Sequence, residues 1–439
     1  MTPSFPPDDA LGDLGVLVDE DAMVPQLAAL ARPGVVVEGC RPVYIRYRPD
    51  RTCLVQYDVT LRTPDRPTGQ VRTAHVRVFP DDRARKRAGG EKLAALAALA
   101  AHDGAPPLPG VAFLPDVAGL LQVHPVDHDL PFLARAVDPA FMTRMFTEAG
   151  LHPASAGPAV PEPVRYKPGR KALLHYTPAV GPRLYAKVHP DDRAGRVAAQ
   201  TAALIGAGIT TPAVALARPD HGLVVHAEYA GDALISLRGT PPHRDAIAEA
   251  ASVLRRFAAT PIPDAPRHML TDEAGLIRSA TGWLARVVPE LSPRLERLRA
   301  ALTSGLQAVH DRPVTGHGDF YDDQVVVSRE GLSLIDLDDL RLAHPSLDLG
   351  NMLAHLRSAG SRGLDVGGAH AQFAEEALRH GPSSARELAL FEAAGLIKLA
   401  AGPFRRVEPD WRSGIERIVG LAEECLAATG PGGAGRPVA

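Results

Sequence analysis

The most informative segment of the C-terminal half is VTGHGDFYDDQVVVSREGLSLIDLDDLRLAHPSLDLGN, residues 314–351. It contains a His-Gly-Asp turn that ends at Asp319, an amide at Gln324 and two short apolar runs joined by a reverse turn. This pattern predicts a β-hairpin that brings Gln324 and Asp336 to one end, with Asp319 on a loop just before it. A candidate base and two hard oxygen ligands would then lie close together, as magnesium-assisted phosphoryl transfer requires.

An internal repeat precedes this stretch. RYRPDRTCLVQY at 46–57 matches RYKPGRKALLHY at 165–176, and HVRVFPDDRA at 75–84 matches YAKVHPDDRA at 185–194. Each copy then enters an Ala/Leu-rich helix and closes with two β-runs around a turn. The repeat therefore predicts two five-stranded antiparallel sheets with one helix each. Two copies are too few for a solenoid.

The spacing becomes helical after residue 238. Apolar residues at i, i+3 and i+4 with charges between them predict helices at 244–260, 272–288, 293–309, 345–356, 369–380, 384–401 and 411–428. The Gly-rich tail is expected to be disordered. The predicted domains are a β-rich unit at 1–150, its repeat at 151–238, a helical unit at 239–428 and the tail at 429–439.

Composition restricts the partners and the compartment. A net charge of −3 without a polybasic run argues against a nucleic-acid-binding surface. No run of about 18 apolar residues could span a bilayer. The three cysteines, Cys40, Cys53 and Cys425, form no CxxC motif, which argues against a disulfide framework. Because the N-terminal residues also lack the order of a signal peptide, we expect a cytoplasmic protein without membrane or nucleic-acid partners.

The HGD-x4-Gln, IDLDD and DLGN elements resemble those of the aminoglycoside phosphotransferase/choline kinase-like family in the protein-kinase-like superfamily. The resemblance covers residues 155–425 and implies an α+β, bilobal fold with an antiparallel five-stranded N-lobe and a mostly helical C-lobe. The first copy of the repeat would be a duplicated, degenerate N-lobe that forms a β-rich cap, similar to those of actinobacterial sugar kinases. The family implies transfer of the γ-phosphate of ATP, with Mg²⁺, to a hydroxyl of a small molecule.

Matching positions assign roles within residues 314–351. By the resemblance, Asp319 is the catalytic base. Asp336 is the main magnesium ligand, and Gln324 stands where the family usually has Asn, with the same amide oxygen one methylene further out. His317 would brace the loop, and Asp348 would hydrogen-bond back to it.

The second copy of the repeat would supply the nucleotide site. Lys187 matches the strand lysine that reaches the α- and β-phosphates. The turn with Lys167 and Arg170 has one glycine, so it would approach phosphates mainly through charge. Glu228 and Tyr229 fall in the segment that resembles the hinge, whose backbone would meet the adenine edge.

Two further positions depart from the family pattern. The residue best aligned with the usual helical Glu partner of the lysine is Gln200, so a hydrogen bond would replace the ion pair. In the first copy Arg77 replaces the lysine, and arginine is no neutral exchange at a crowded phosphate site. No catalytic hairpin follows the first copy either, so we expect residues 35–135 to form a non-catalytic cap.

The acceptor pocket has weaker candidates. Asp322 and Asp323 could bind substrate or metal, or could simply be solvated. The run PFRRVEPDW adds Arg405, Asp410 and Trp411, with Trp411 either a stacking face or a core residue. The mixed charge of this run does not favour a polycationic antibiotic. It favours a neutral sugar or another small hydroxylated metabolite, and the resemblance leaves amino sugars and aminoglycoside-like molecules open.

Two functions of different classes remain. The first is an ATP- and magnesium-dependent kinase that acts on a small-molecule hydroxyl. The second is a pseudokinase or nucleotide-binding scaffold, which Gln200, Gln324 and the glycine-poor turn suggest. The intact trio of Lys187, Asp319 and Asp336 favours the kinase.

Overall fold

The computed structural model describes residues 5–101, 106–153, 155–177, 183–381 and 383–428. The chain divides into two compact units. Unit 1 comprises the residues up to Gly195 together with Ala215–Glu228 and Pro403–Trp411. Unit 2 comprises Arg196–Val214, Tyr229–Gly402 and the residues from Arg412 onward. The tail expected to be disordered, 429–439, lies outside the described residues.

The first sheet of unit 1 has five strands in the order β1-β2-β3-β5-β4. Its strands are β1 (Val36–Arg48), β2 (Thr52–Thr63), β3 (Arg66–Val78), β4 (Val111–Leu114) and β5 (Gly119–Val123). Burial alternates along β2, as expected for a sheet with one covered face. The helices α1 (Glu20–Ala28), α2 (Arg83–Ala88) and α3 (Glu91–Ala100) accompany this sheet.

The second sheet repeats this order as β6-β7-β8-β10-β9. Its strands are β6 (Pro161–Lys167), β7 (Lys171–Tyr176), β8 (Leu184–Val188), β9 (Val214–Arg218) and β10 (Leu223–Ala227). The preceding helices α4 (Leu133–Ala136) and α5 (Pro139–Glu148) pack on it, with the Phe146 ring edge-on to Tyr176 at 5.0 Å. The two sheets predicted from the repeat are therefore confirmed, together with the α+β fold class.

Unit 2 is built mainly from helices around an apolar core. The helices from residue 194 onward are α6 (Ala194–Gly206), α7 (Pro241–Ala258), α8 (Leu270–Val287), α9 (Ser292–Gln307), α10 (Ser346–Gly360), α11 (Ala369–His380), α12 (Ala385–Leu399), α13 (Gly402–Arg405) and α14 (Trp411–Ala427). Ser384 and Glu387 form a capping box at the start of α12, where the sequence predicted its beginning. Within the described ranges, no helix is long and apolar enough to cross a membrane.

Short strands in unit 2 hold residues 314–351, called the catalytic stretch below because the predicted catalytic residues lie in it. They are β11 (Asp232–Ala233), β12 (Val314–Gly316), β13 (Val325–Ser328), β14 (Gly331–Leu334) and β15 (Arg341–Ala343). β13 and β14 form the predicted hairpin, with Val325 opposite Leu334. β11 adds a third strand to it, and β12 pairs with β15. These additional pairings were not predicted, because strands of two or three residues are too short for a periodic pattern.

Short 3-10 helices complete the fold, at Leu14–Val18, Pro219–His221, Leu234–Leu237, Pro289–Leu291, Asp322–Gln324 and Leu337–Asp339. Two of them flank the β13–β14 hairpin, and each carries a pair of aspartates. Both acidic segments therefore lie at the open end of the hairpin, beside Gln324 and Asp336.

Candidate active site

The His-Gly-Asp turn is fixed by Asp348 on α10. The buried Asp348 carboxylate accepts hydrogen bonds from the backbone N–H of His317 at 2.6 Å and of Gly318 at 2.9 Å. Hydrogen bonds to an ionised acceptor are the stronger ones in proteins. Gly318 has a φ of +87°, and a Cβ there would clash with the carbonyl oxygen of Asp339. The turn therefore needs both the glycine and the carboxylate beneath it.

Three parts of the catalytic stretch meet at Ile335. The side-chain Nε2 of the buried His317 donates to the carbonyl oxygen of Ile335 at 2.9 Å. The backbone N–H of Ile335 donates to the carbonyl oxygen of Gln324 at 3.0 Å. Asp336 follows directly, so the hairpin end that carries Gln324 and Asp336 is tied to the turn that carries Asp319. Asp319 itself is exposed, as a residue that meets a substrate must be.

Asp336 has an unusual backbone conformation. Its φ of 60° and ψ of 49° lie in the left-handed region, and it precedes the 3-10 helix Leu337–Asp339. A non-glycine residue there costs about 1 kcal/mol or more, although Asp tolerates it better than most. Strain of this kind concentrates at functional sites, because the surrounding structure must hold it. The conformation directs the chain sharply away from the hairpin just after the predicted metal ligand.

The structure corrects the suggestion that Asp322 binds substrate or metal. Its side chain is fully buried and accepts two hydrogen bonds from Arg238, at 2.6 Å and 2.9 Å. Burial alone would raise the pKa of Asp322, but the nearby His243 ring, 3.9 Å away, and the hydrogen bonds from Arg238 keep it below its ordinary value. Asp322 is thus the buried half of an ion pair. The partly buried Asp323 accepts a hydrogen bond from the Tyr321 hydroxyl at 3.2 Å.

Sequence reasoning missed Arg238 and His243 because they lie about 80 residues before Asp322. Arg238 follows the 3-10 helix Leu234–Leu237, and the fully buried His243 lies in the first turn of α7. No spacing rule links either residue with the catalytic stretch. The only local signal was a lone basic residue at a helix entry, which is common on protein surfaces.

In unit 1, Lys187 occupies a central position of the second sheet. It lies on β8, opposite Leu173 of β7 and Val224 of β10, and its exposed fraction is 9%. The nearby β6–β7 turn carries Lys167 and Arg170, and Gly169 within it has a φ of +63°. The turn has the left-handed glycine that its shape requires. Its cations are thus presented from a fixed backbone.

Gln200, on the part of α6 that belongs to unit 2, has a hydrogen-bond partner within that unit. Its side-chain amide donates to the carbonyl oxygen of Pro263 at 2.9 Å, and its exposed fraction is 1%. The amide N–H group therefore stabilises unit 2 itself. The residue that replaces the usual helical Glu is a packed, structural glutamine.

The segment that resembles a hinge lies at a boundary. Unit 1 ends at Glu228 and unit 2 resumes at Tyr229. The backbone N–H of Glu228 donates to the carbonyl oxygen of Arg183 at 2.9 Å. In unit 2, the Tyr229 hydroxyl lies 3.0 Å from the Ser328 hydroxyl. The chain thus changes units within the two residues predicted to contact adenine.

The structure also corrects the interpretation of Trp411 as a stacking face. Its exposed fraction is 3%, and its ring packs edge-on against Phe404 at 5.1 Å between centroids. Phe404 in turn contacts the Phe5 ring at 5.4 Å. The run 403–411 therefore belongs to the core of unit 1. Its polar members Arg405 and Asp410 are exposed.

Two buried acids of unit 2 are already neutralised. Glu392 accepts hydrogen bonds from Arg357 at 2.5 Å and from His370 at 2.7 Å. Glu273 accepts a hydrogen bond from Lys398 at 2.6 Å. Among the described residues, no three His, Cys, Asp or Glu side chains group as a metal site of their own.

Comparisons with solved structures find kinase-like folds. A thermostable mutant of aminoglycoside phosphotransferase APH(4)-Ia, in a complex with AMP-PNP and hygromycin B, has 12% sequence identity and a TM-score of 0.50, over 66% of this chain and 99% of that one. A choline/ethanolamine kinase family protein from Mesorhizobium loti has 16% identity and a TM-score of 0.48, over 67% and 96%. The GDP complex of aminoglycoside 2'-phosphotransferase-IIIa has 18% identity and a TM-score of 0.46, over 67% and 100%.

Sequence comparison gives the family. No curated protein matches the chain by sequence. The model of the phosphotransferase enzyme family (APH) matches residues 143–388, more than half of the chain, and includes Lys187 and the whole catalytic stretch. The chain belongs to the phosphotransferase enzyme family, which confirms the predicted ATP-dependent phosphotransferase that acts on hydroxyl groups.

Proposed function

We propose that this phosphotransferase moves the γ-phosphate of ATP to a hydroxyl of a sugar, amino sugar or aminoglycoside-like metabolite in the cytoplasm, with Asp319 as the base. The observation that carries the proposal is the junction at Ile335. His317 and Gln324 are both bonded to the backbone of this residue, which precedes Asp336. Catalysis of phosphoryl transfer is mostly positioning and charge stabilisation, so a rigid carrier for these groups is what the reaction needs.

Magnesium would be held by Asp336 and Gln324. A carboxylate and an amide oxygen are hard ligands, and Mg²⁺ usually takes one or two protein ligands together with phosphate oxygens and water. The two residues end the same hairpin, which supports a shared ion. The bound ion would neutralise charge on the transferred phosphate. Asp319 would orient the acceptor hydroxyl and receive its proton.

The nucleotide phosphates would be bound by cations of unit 1. We assign Lys187 to the α- and β-phosphates, with Lys167 and Arg170 of the β6–β7 turn as further phosphate contacts and the Glu228–Tyr229 backbone as the adenine contact. The low exposure of Lys187 supports this role, because a partly desolvated ammonium attracts an anion more strongly than a solvated one.

The domain division would follow from these roles. We propose residues 1–150 as a non-catalytic cap, 151–238 as the nucleotide-binding N-lobe and 239–428 as the catalytic C-lobe. The shared strand order of the two sheets supports the cap as a duplicated N-lobe. Arg77 at the position of the strand lysine supports its lack of a nucleotide site.

A neutral acceptor is favoured over a polycation. Polycationic acceptors need uncompensated acidic side chains, and the buried Glu392 and Glu273 are already paired with Arg357 and Lys398. Hygromycin B in the complex of the similar structure makes aminoglycosides the reference compounds for a screen. A sugar or amino sugar would hydrogen-bond to neutral groups and to the exposed Asp319.

The test is ADP release from ATP and Mg²⁺ in the presence of sugars, amino sugars and aminoglycosides. Asp319→Asn should lower kcat by about 10²–10⁴-fold. It should leave the melting temperature unchanged, because Asp319 is exposed. Asp365→Asn, at an exposed aspartate of the same unit that only caps a turn, is the matched control and should be fully active. Undiminished turnover in Asp319→Asn would exclude its role as the base.

A second measurement separates the kinase from the scaffold. Mg-ATP should raise the melting temperature of the wild-type chain, and Asp336→Asn should shift the magnesium dependence of that rise to higher concentration. A rise without ADP release for any acceptor would favour the pseudokinase. No rise at all would argue against nucleotide binding.

A further inference from the structure

The β6–β7 turn of the second sheet is attached to the first sheet. Within unit 1, the Asp127 carboxylate accepts hydrogen bonds from the backbone N–H of Gly169 at 2.7 Å and from the Tyr166 hydroxyl at 2.8 Å. Asp127 follows β5 of the first sheet. The turn, with its cations Lys167 and Arg170, is therefore held against the first sheet, which has Arg77 in place of the strand lysine.

Two arginines of the first sheet converge on this turn. A Cβ on Gly169 would lie 2.5 Å from Nη2 of Arg77, 2.8 Å from Oδ2 of Asp129 and 3.3 Å from Nη2 of Arg46. The two terminal nitrogens are therefore less than about 6 Å apart, a distance at which like charges repel, and the Asp129 carboxylate, which pairs with Arg77, offsets that repulsion only in part. Only glycine leaves room for the guanidinium groups here.

Arg77 is only partly satisfied. Its Nη1 donates to Asp129 at 2.6 Å. Its Nε and Nη2 are buried and have no hydrogen-bond partner among the described residues, and the exposed fraction of Arg77 is 6%. Unsatisfied buried donors on a charged group are costly, so they indicate a missing acceptor.

Arg46 forms no ion pair with a described residue, although the Asp129 carboxylate that pairs with Arg77 lies near it. Burial, together with the charges of Arg77, Arg48 and Arg170, lowers the pKa of Arg46 to about 10. The cation is thus destabilised in the protein as it stands. An anion at this point would reverse the effect, because it would favour the charged form.

Arg405 completes the group. The Phe404 ring, next to it in the chain, lies 6.4 Å from the Tyr47 ring on β1, so Arg405 is held beside the first sheet. Partial burial of the guanidinium group and the charge of Arg170 lower the pKa of Arg405, although the residue as a whole is exposed, and no described residue forms an ion pair with it. Arg46, Arg77 and Arg405 are called the arginine cluster below; Arg170 beside them stays assigned to the donor nucleotide.

We propose that the arginine cluster binds a small molecule through a phosphate or another doubly charged oxyanion, at a site separate from the donor nucleotide. Arginine forks match oxyanions of this class with paired hydrogen bonds. Arg46, Arg77 and Arg405 lie outside residues 143–388, so the site is an addition to the part that the chain shares with its family. The ligand is an effector or the anionic group of an acceptor.

The test uses inorganic pyrophosphate as the probe, by calorimetry on the full chain in magnesium-free buffer at constant ionic strength. Arg46→Gln and Arg405→Gln should each weaken binding about tenfold or more, since each removes a charged contact. The exposed Arg405 can be replaced without loss of folding. Arg41→Gln, at an exposed arginine of β1, is the matched control and should bind as the wild type does.

Lys187→Met separates the two anion sites. Pyrophosphate should still bind to this variant, whereas ATP should not, so failure of the proposed nucleotide site and failure of the arginine cluster give different results. The proposal is overturned if wild-type protein does not bind pyrophosphate, or if Arg46→Gln and Arg405→Gln bind it unchanged. It is equally overturned if Lys187→Met abolishes pyrophosphate binding, because the probe would then occupy the donor site.

Discussion

Asp348 offers the sharpest test of how the catalytic turn is held. Its two carboxylate oxygens accept the N–H groups of His317 and Gly318, at 2.6 Å and 2.9 Å, in a buried position. In Asp348→Asn, the amide oxygen can keep one of these bonds as a neutral acceptor, while the NH₂ group faces the other N–H. One charge-assisted bond is then lost and one is weakened, at about 1.5–3 kcal/mol for a bond to a charged group.

We therefore expect Asp348→Asn to lower the free energy of unfolding by about 3 kcal/mol, which a protein of ordinary stability survives. Because Asp319 follows Gly318 directly, a displaced turn should also lower kcat by about 10²-fold. Urea denaturation followed by fluorescence measures the first effect, since Trp283 lies on α8 of the same unit. ADP release measures the second.

The matched control is Asp365→Asn. Asp365 is exposed and accepts one backbone N–H, from Gly367 at 2.8 Å. Its replacement should change the free energy of unfolding by about 0.5 kcal/mol or less. If Asp348→Asn proved as mild as this control in both measurements, the two hydrogen bonds would not be what positions the turn.

Three further predictions concern stability. Burial alone would raise the pKa of Glu273, but hydrogen bonds from His268 and Lys398 lower it from 4.5 to about 2. The stabilisation is present above pH 4.5 and is lost as the pH falls towards 2. The free energy of unfolding should therefore fall by about 3 kcal/mol between these pH values in the wild type, and Glu273→Gln should not show this fall. Arg238→Met leaves Asp322 buried without its main partner and should cost about 3–5 kcal/mol in urea denaturation, with a cost under 1 kcal/mol counting against a structural ion pair. Gly350→Ala should destabilise the chain, because a Cβ there would lie 2.5 Å from the backbone of Phe391. In the control Gly282→Ala, on α8, the new Cβ meets nothing within 4 Å, so this variant should have a raised melting temperature. Equal effects of the two substitutions would contradict the close packing of α10 on α12.

The sequence contained most of the fold and the residues of the catalytic stretch. The repeated blocks around Arg46 and Arg165 predicted two sheets, which have the same strand order. Alternating and helical periodicities are local, so they identify strands and helices before any long-range contact is known. The family motifs also lie within short segments. This is why the hairpin between Gln324 and Asp336 could be predicted.

Only the tertiary structure decided what the isolated polar and aromatic residues do. Asp322 is a buried ion-pair partner because Arg238, 84 residues away in the chain, reaches it. Trp411 lies in a core because Phe404 covers it. Nε and Nη2 of Arg77 are buried beside the Gly169 turn and have no hydrogen-bond partner among the described residues. Burial and pairing depend on contacts between distant segments. Such contacts leave no periodic trace in the sequence, and they determine which charged groups are neutralised.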